Sequence, residues 1–101
     1  MRNENNFFDF KSLKTVIGKT ADFCELAKDA VAFANTAKGG TIYLGIEDGY
    51  DLPPVDQIIP EDLPGKVQLR LSQLTINTSV IAEAKNAENG GKYIDLTIHP
   101  S

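Results

Sequence analysis

Phe23-Cys24-Glu25-Leu26-Ala27-Lys28-Asp29-Ala30-Val31-Ala32-Phe33-Ala34-Asn35-Thr36-Ala37-Lys38-Gly39-Gly40-Thr41-Ile42-Tyr43-Leu44-Gly45-Ile46 decides the fold of this chain, because the hydrophobic period changes once within it. In its first half Phe23, Leu26, Ala27, Ala30, Val31 and Ala34 recur at i, i+3, i+4, i+7, i+8 and i+11, the stripe of an amphipathic helix. Glu25, Lys28 and Asp29 take the outer face. Asp22 followed by Glu25 resembles a capping box, Thr20 is an alternative cap, and Gly39-Gly40 is a permissive stop, so a helix is expected from about 21 to 36. Thr41 to Ile46 is apolar without alternation, which suits a central strand covered on both faces, and Glu47-Asp48-Gly49 is turn chemistry after it.

Working upstream, Phe7 to Lys11 reads as a short strand with Phe8 and Phe10 on one face and Asp9 and Lys11 on the other. Ser12 to Lys19 is a loop or irregular turn. Downstream, Asp51 to Pro60 holds three prolines and takes no regular element throughout. A second helix is expected over about 63 to 74, delayed or kinked by Pro64-Gly65. Ser79 to Ala87 and Lys92 to His99 flank Glu88-Asn89-Gly90-Gly91, a hairpin signal, and Ile94, Leu96 and Ile98 alternate with wet Tyr93, Asp95 and Thr97. The fold class is α+β, a mixed β-sheet with two helices and a C-terminal β-hairpin, in the order strand-helix-strand-helix-hairpin.

The 101 residues make one domain, with 42% hydrophobic residues to fill one core. A net charge of -4 repels a phosphate backbone on average, so polyanion binding has to be local. A lone cysteine excludes a disulfide framework and fits a reducing, cytoplasmic compartment. The N-terminus lacks the apolar segment of a secretory signal, and no apolar run approaches the length that spans a bilayer.

Glu4, Asp9 and Asp48, with Glu47 as a substitute for the last, are the acids that could converge. Glu4 and Asp9 meet if the chain bends at Asn5-Asn6, and pairing of the first strand with Thr41–Ile46 brings Asp48 near Asp9. Three carboxylates around one point suit Mg²⁺ or Mn²⁺ and metal-assisted phosphodiester cleavage, with Lys11 orienting a phosphate. The competing reading is ordinary surface charge. Gly39-Gly40 with Gly45 lacks both phosphate-loop signatures and reads as a cap and close strand packing. Cys24 reads as a buried, inert thiol and His99 as solvated.

Several strings then fit one pattern: Glu4 with Asp9-Phe10-Lys11, Ala32-Phe33-Ala34-Asn35-Thr36, Gly39 through Gly49, and a hairpin ending Ile98-His99-Pro100-Ser101. Together they resemble the Schlafen/AlbA-like DNA-binding domain family over nearly the whole chain. The resemblance implies a mixed α/β domain, N-terminal in longer bacterial transcriptional regulators or divergent ATPases, and makes this chain a fragment of such a protein. It also implies, from the RNA-cleaving core of Schlafen proteins, a metal and catalytic site on Glu4, Asp9 and Asp48, with Lys11 matching the family lysine. Departures are Asp9 in place of a glutamate, one extra residue between Asn35 and Gly40, Pro53-Pro54 after the acidic turn, and an end at Ser101.

The expected function is a nucleic-acid-binding module that uses Lys11, Lys14 and Lys38 against phosphates. Its expected partners are DNA before RNA and a second copy of the chain as a homodimer, with no membrane. The alternatives are a Mg²⁺- or Mn²⁺-dependent ribonuclease and a structural self-association domain.

Overall fold

The computed structural model describes residues 8–19, 21–47 and 49–100. Strand β1 spans Phe8–Lys11 and is followed by a single 3₁₀ turn at Leu13–Thr15. Helix α1 runs Phe23–Ala34, β2 Gly40–Leu44, α2 Leu63–Leu74, β3 Val80–Asn86 and β4 Lys92–Ile98. The strands form one sheet in the order β1-β2-β4-β3, with β1 parallel to β2 and the other pairs antiparallel. The expected α+β class and element order hold, with β2 one of two inner strands.

The helices form as the sequence dictates. Asp22 Oδ1 accepts the Glu25 amide at 3.0 Å, satisfying a donor that the first turn leaves over, a cap typically worth about 1 kcal/mol. Helix α2 starts at Leu63 without delay, because Pro64 falls in the first turn, where an amide hydrogen is not needed. Helix α1 stops at Ala34, before the glycines: Asn35 is already its C-cap.

Both helices pack on one face of the sheet. Leu26, Ala30 and Ala34 from α1 and Leu63, Val67 and Leu71 from α2 meet Ile42, Leu44, Ile94, Leu96 and Ile98. Each fully buried Leu, Ile or Val contributes about 1.5–3 kcal/mol. No polar or charged residue is buried among the described residues, so this apolar contact holds the two layers together. The α1 stripe is narrower than its spacing suggests: Val31 and Cys24 are exposed, which corrects the expected buried thiol.

Residues 51–60 form no helix or strand, as their prolines require, yet they are tied down. Gln57 Nε2 donates to the carbonyls of Gly45 (2.7 Å) and Lys92 (2.8 Å), and the Lys92 amide donates to Gln57 O at 3.0 Å. Asn89 Nδ2 donates to Pro53 O at 2.8 Å, linking the same loop to the hairpin turn. Gly45 makes the first contact possible. Its φ is +110°, and a Cβ there would lie 2.6 Å from Gln57 Nε2. Gly45→Ala is therefore expected to lower stability by about 1–3 kcal/mol and to expose the 51–60 loop to proteolysis, as measured by urea unfolding and limited digestion.

Candidate nucleic-acid interface

Alternation along β1 sends its side chains to opposite sides of the sheet. In the parallel register Asp9 stands beside Ile42 and Lys11 beside Leu44, both core positions, so Asp9 and Lys11 lie on the helix side. There the Lys11 ammonium is 2.7 Å from Asp29 Oδ2 of α1 and 3.5 Å from Asp9 Oδ2. Asp9 Oδ1 also accepts the Phe10 amide at 2.9 Å. Burial pulls the Lys11 pKa down, but Asp29 and then Asp9 outweigh it, and the net direction is up from 10.5. Asp29, expected on the outer face of α1, instead flanks β1.

The sequence-derived site residues are distributed as follows. Glu4 and Asp48 lie outside the described residues, so the three-acid set is represented by Asp9. Glu47 is exposed just after β2. Lys14 is exposed in the 3₁₀ turn beyond the C-terminal end of β1, and Lys38 is exposed before the N-terminal end of β2. Because β1 and β2 are parallel, those two lysines sit toward opposite ends of the sheet, and Lys11 is between them on the helix side. No group of three His, Cys, Asp or Glu side chains suited to a metal occurs among the described residues.

The other face carries a feature that the sequence reading did not assign. Phe8 and Phe10 of β1, Tyr43 of β2 and Tyr93 of β4 form a continuous ring cluster across three strands. Phe8 meets Phe10 edge-on at 5.7 Å and Tyr43 at 6.2 Å, Phe10 stacks on Tyr43 at 5.4 Å, and Tyr43 meets Tyr93 at 5.9 Å. All four rings are only half-buried, and among the described residues no helix packs on this side. Thus β2, expected to be covered on both faces, has its second face occupied by this aromatic layer. A groove of about 740 Å³ opens over the rings, bordered by Ile46, Asp51, Leu52, Asn86 at the end of β3, and the turn residues Ala87 and Glu88.

The charge at this face is mainly acidic. Asp95 accepts Lys85 Nζ and Thr97 Oγ1, both at 2.9 Å, and holds the Lys85 ammonium above its ordinary pKa. Burial first, then the Asp95 carboxylate and Tyr93, raise the Tyr43 phenol above 10.0, with Lys85 acting in the opposite sense. The signal for the platform was present in the sequence as aromatics at alternate strand positions. What sequence could not give was the register that brings the three strands' rings together.

A sequence model of the Schlafen, AlbA_2 family matches residues 4–100. The chain belongs to that family. No curated protein matches the Schlafen, AlbA_2 chain described here. Among solved structures, the crystal structure of the DIP2311 protein from Corynebacterium diphtheriae is similar at 20% identity with a TM-score of 0.65. The similarity covers 99% of this chain and 19% of that one, so this Schlafen, AlbA_2 domain spans about a fifth of the other protein's length. At that identity the likeness concerns the fold. No helix among the described residues is long and apolar enough to cross a membrane.

Two outcomes follow from these contacts. Lys11→Met leaves the Asp29 carboxylate against the sheet without its cation, and a loss of about 1–2 kcal/mol is expected, reduced when Asp29→Asn is added. Since the folded Lys11 pKa is raised, its contribution is complete below 10.5 and fades as pH climbs through the higher folded value, so unfolding curves of wild type and Lys11→Met converge in strong alkali. Tyr43 likewise retains its proton above pH 10.0 while the unfolded chain ionises, which lowers stability there. In tyrosinate absorbance titrations, the transition raised above 10.0 is expected to vanish in Tyr43→Phe and to move down in Asp95→Asn.

Proposed function

We propose that this Schlafen, AlbA_2 domain is a nucleic-acid-binding module and that it takes unpaired nucleotides on the Phe8, Phe10, Tyr43 and Tyr93 platform. The observation that carries the reading is the ring layer itself: four aromatic side chains on a sheet face away from both helices, opening into a groove. Nucleobases stack on such rings for about 1–3 kcal/mol each, whatever their sequence, and a sheet bearing aromatics is a recurrent way to hold single strands. Family membership supports the same class of ligand. In a longer cytoplasmic polypeptide, a domain of this kind would tether a transcriptional regulator or an ATP-dependent protein to DNA.

The charges refine the mode of binding. Asp51, Glu88, Glu83 and Asp95 lie on or beside this face, and Lys85 is engaged by Asp95. Phosphate neutralisation therefore contributes little at this surface, and the affinity comes from stacking. The divalent-metal ribonuclease has weaker support: Asp9, the described member of its acid set, has Lys11 at 3.5 Å, a partner that an ion would have to displace.

The test is fluorescence anisotropy with labelled single-stranded and duplex oligonucleotides across a salt series. Single strands are expected to bind more tightly than duplex, with a slope of log affinity against log salt shallower than about -2. Tyr93→Leu and Phe8→Leu, which keep apolar bulk, are expected to weaken binding at least about fivefold each. No binding of either form at low salt, or a duplex preference with a steep salt slope, would overturn the reading.

A further inference from the structure

We infer that the outer edge of β3 docks a second copy of this chain, the two β3 strands pairing antiparallel about a twofold axis at Ala84. The inference is independent of the ring platform and its ligand. It starts from the hydrogen-bond phase of β3, which ends the sheet and has β4 on its inner side. The His99 amide donates to Ser79 O and the Ala87 amide to Gly91 O, so the odd-numbered positions between Ser79 and Ala87 are the ones that bond β4. The even-numbered positions turn their amides and carbonyls outward. Ala82 shows this directly, its amide donating to Gln68 Oε1 of α2 at 2.8 Å. Past that contact Ala84 and Asn86 are exposed, and among the described residues no strand pairs with this edge. Such an edge is a template for another strand.

Charge selects both the occupant and the register. On the ring side β3 carries Ile81, Glu83 and Lys85, all exposed. Glu83 stands opposite Asp95 in the ladder, a like-charged pair, while Lys85 is bonded to that same Asp95 at 2.9 Å. A second β3 centred on Ala84 sets Glu83 of each copy opposite Lys85 of the other. Both are non-hydrogen-bonded pairs, whose Cα atoms come within about 4.5 Å, so the charged side chains meet at their closest. An ammonium has three donors, and Lys85 can serve Asp95 and the added Glu83 together.

The backbone fits the same register. The two Ala84 residues exchange amide-to-carbonyl bonds, and each Asn86 amide meets the Ala82 carbonyl of the other copy. Neither contact requires the Ala82 amide that Gln68 already holds. Moving the axis to Glu83 or to Lys85 would instead oppose like charges at the centre. The interface is isologous, the same strand on both sides, and it closes as a dimer with one continuous sheet and the helices of both copies on one face.

Sedimentation velocity over a concentration series, combined with amide hydrogen exchange read by NMR, tests the inference on the wild-type chain. The average mass is expected to rise from that of one chain toward that of two. The Ala84 and Asn86 amides are expected to gain protection in step with it, while those of Glu83 and Lys85, already bonded to β4, do not change. Glu83→Lys and Lys85→Glu are each expected to weaken self-association at least about fivefold, and an equimolar mixture of the two to restore it, since every facing pair in the mixed dimer is again opposite in sign. A chain that stays monomeric, a dimer that both single variants retain, or a mixture that associates no better than its components overturns the inference. Protection of Ala84 that is independent of concentration assigns the edge to another segment of the same chain and overturns it as well. The exchange measurement decides on the wild-type chain alone, whatever the stability of the variants.

Discussion

The two-residue period of a β-strand, applied to three neighbouring strands in one fixed register, is the constraint on which this molecule depends. Ile42 and Leu44 of β2 align with Leu96 and Ile94 of β4 and turn toward the helices, and the same alternation turns Tyr43 the other way. A slip of β4 by one residue would bury Tyr93, Asp95 and Thr97 beneath α1 and α2 and expose three core aliphatics, Ile94, Leu96 and Ile98. With about 1.5–3 kcal/mol at stake for each aliphatic, the register admits one solution. The ring platform is thus the obligate reverse side of the hydrophobic core.

The same rule assigns β1 its double role. Phe8 and Phe10 complete the platform, while Asp9 and Lys11 point at α1, where an aliphatic pair would be the simpler choice. Lys11 is instead matched by Asp29, with side-chain exposures of 20% and 32%. Partial solvation moderates the desolvation cost that makes fully buried pairs poor stabilisers. The pair also fixes the edge strand laterally under the helix, so the outermost rings stay aligned with Tyr43. Packing on one face thereby sets the geometry available on the other.

Much of this was legible in the sequence. The period change after Ala34 marked the passage from α1 to β2, Leu63 to Leu74 was read to the residue, and Asn89-Gly90-Gly91 marked the hairpin. What escaped reading was long-range. The spacing of Asp9 and Lys11 says that they share a face, but not that the face meets a helix. Asp29 looked like a solvated position because helical periodicity separates apolar from polar without showing which flank passes over a neighbouring strand. Tyr43, inside an apolar run, read as buried on principle, and only the register with Phe10 and the neighbouring Tyr93 reveals a half-exposed layer. The Lys11 and Asp9 side chains matched a family pattern by position, and position does not determine whether a charge faces solvent or a partner.

An acidic domain whose proposed ligand is a polyanion presents an apparent contradiction, and magnitudes resolve it. A carboxylate about 10 Å from a phosphate costs about 0.4 kcal/mol in water before screening. At physiological ionic strength the Debye length is about 8 Å, which leaves a small fraction of that cost. One stacked base contributes about 1–3 kcal/mol. Stacking on two or more of the four rings therefore exceeds the repulsion from several rim acids, provided the backbone stays on the solvent side of the groove. A surface built this way gives up long-range attraction and with it rapid, indiscriminate capture of nucleic acid, and in exchange it distinguishes an unpaired, ring-accessible strand from the duplex around it.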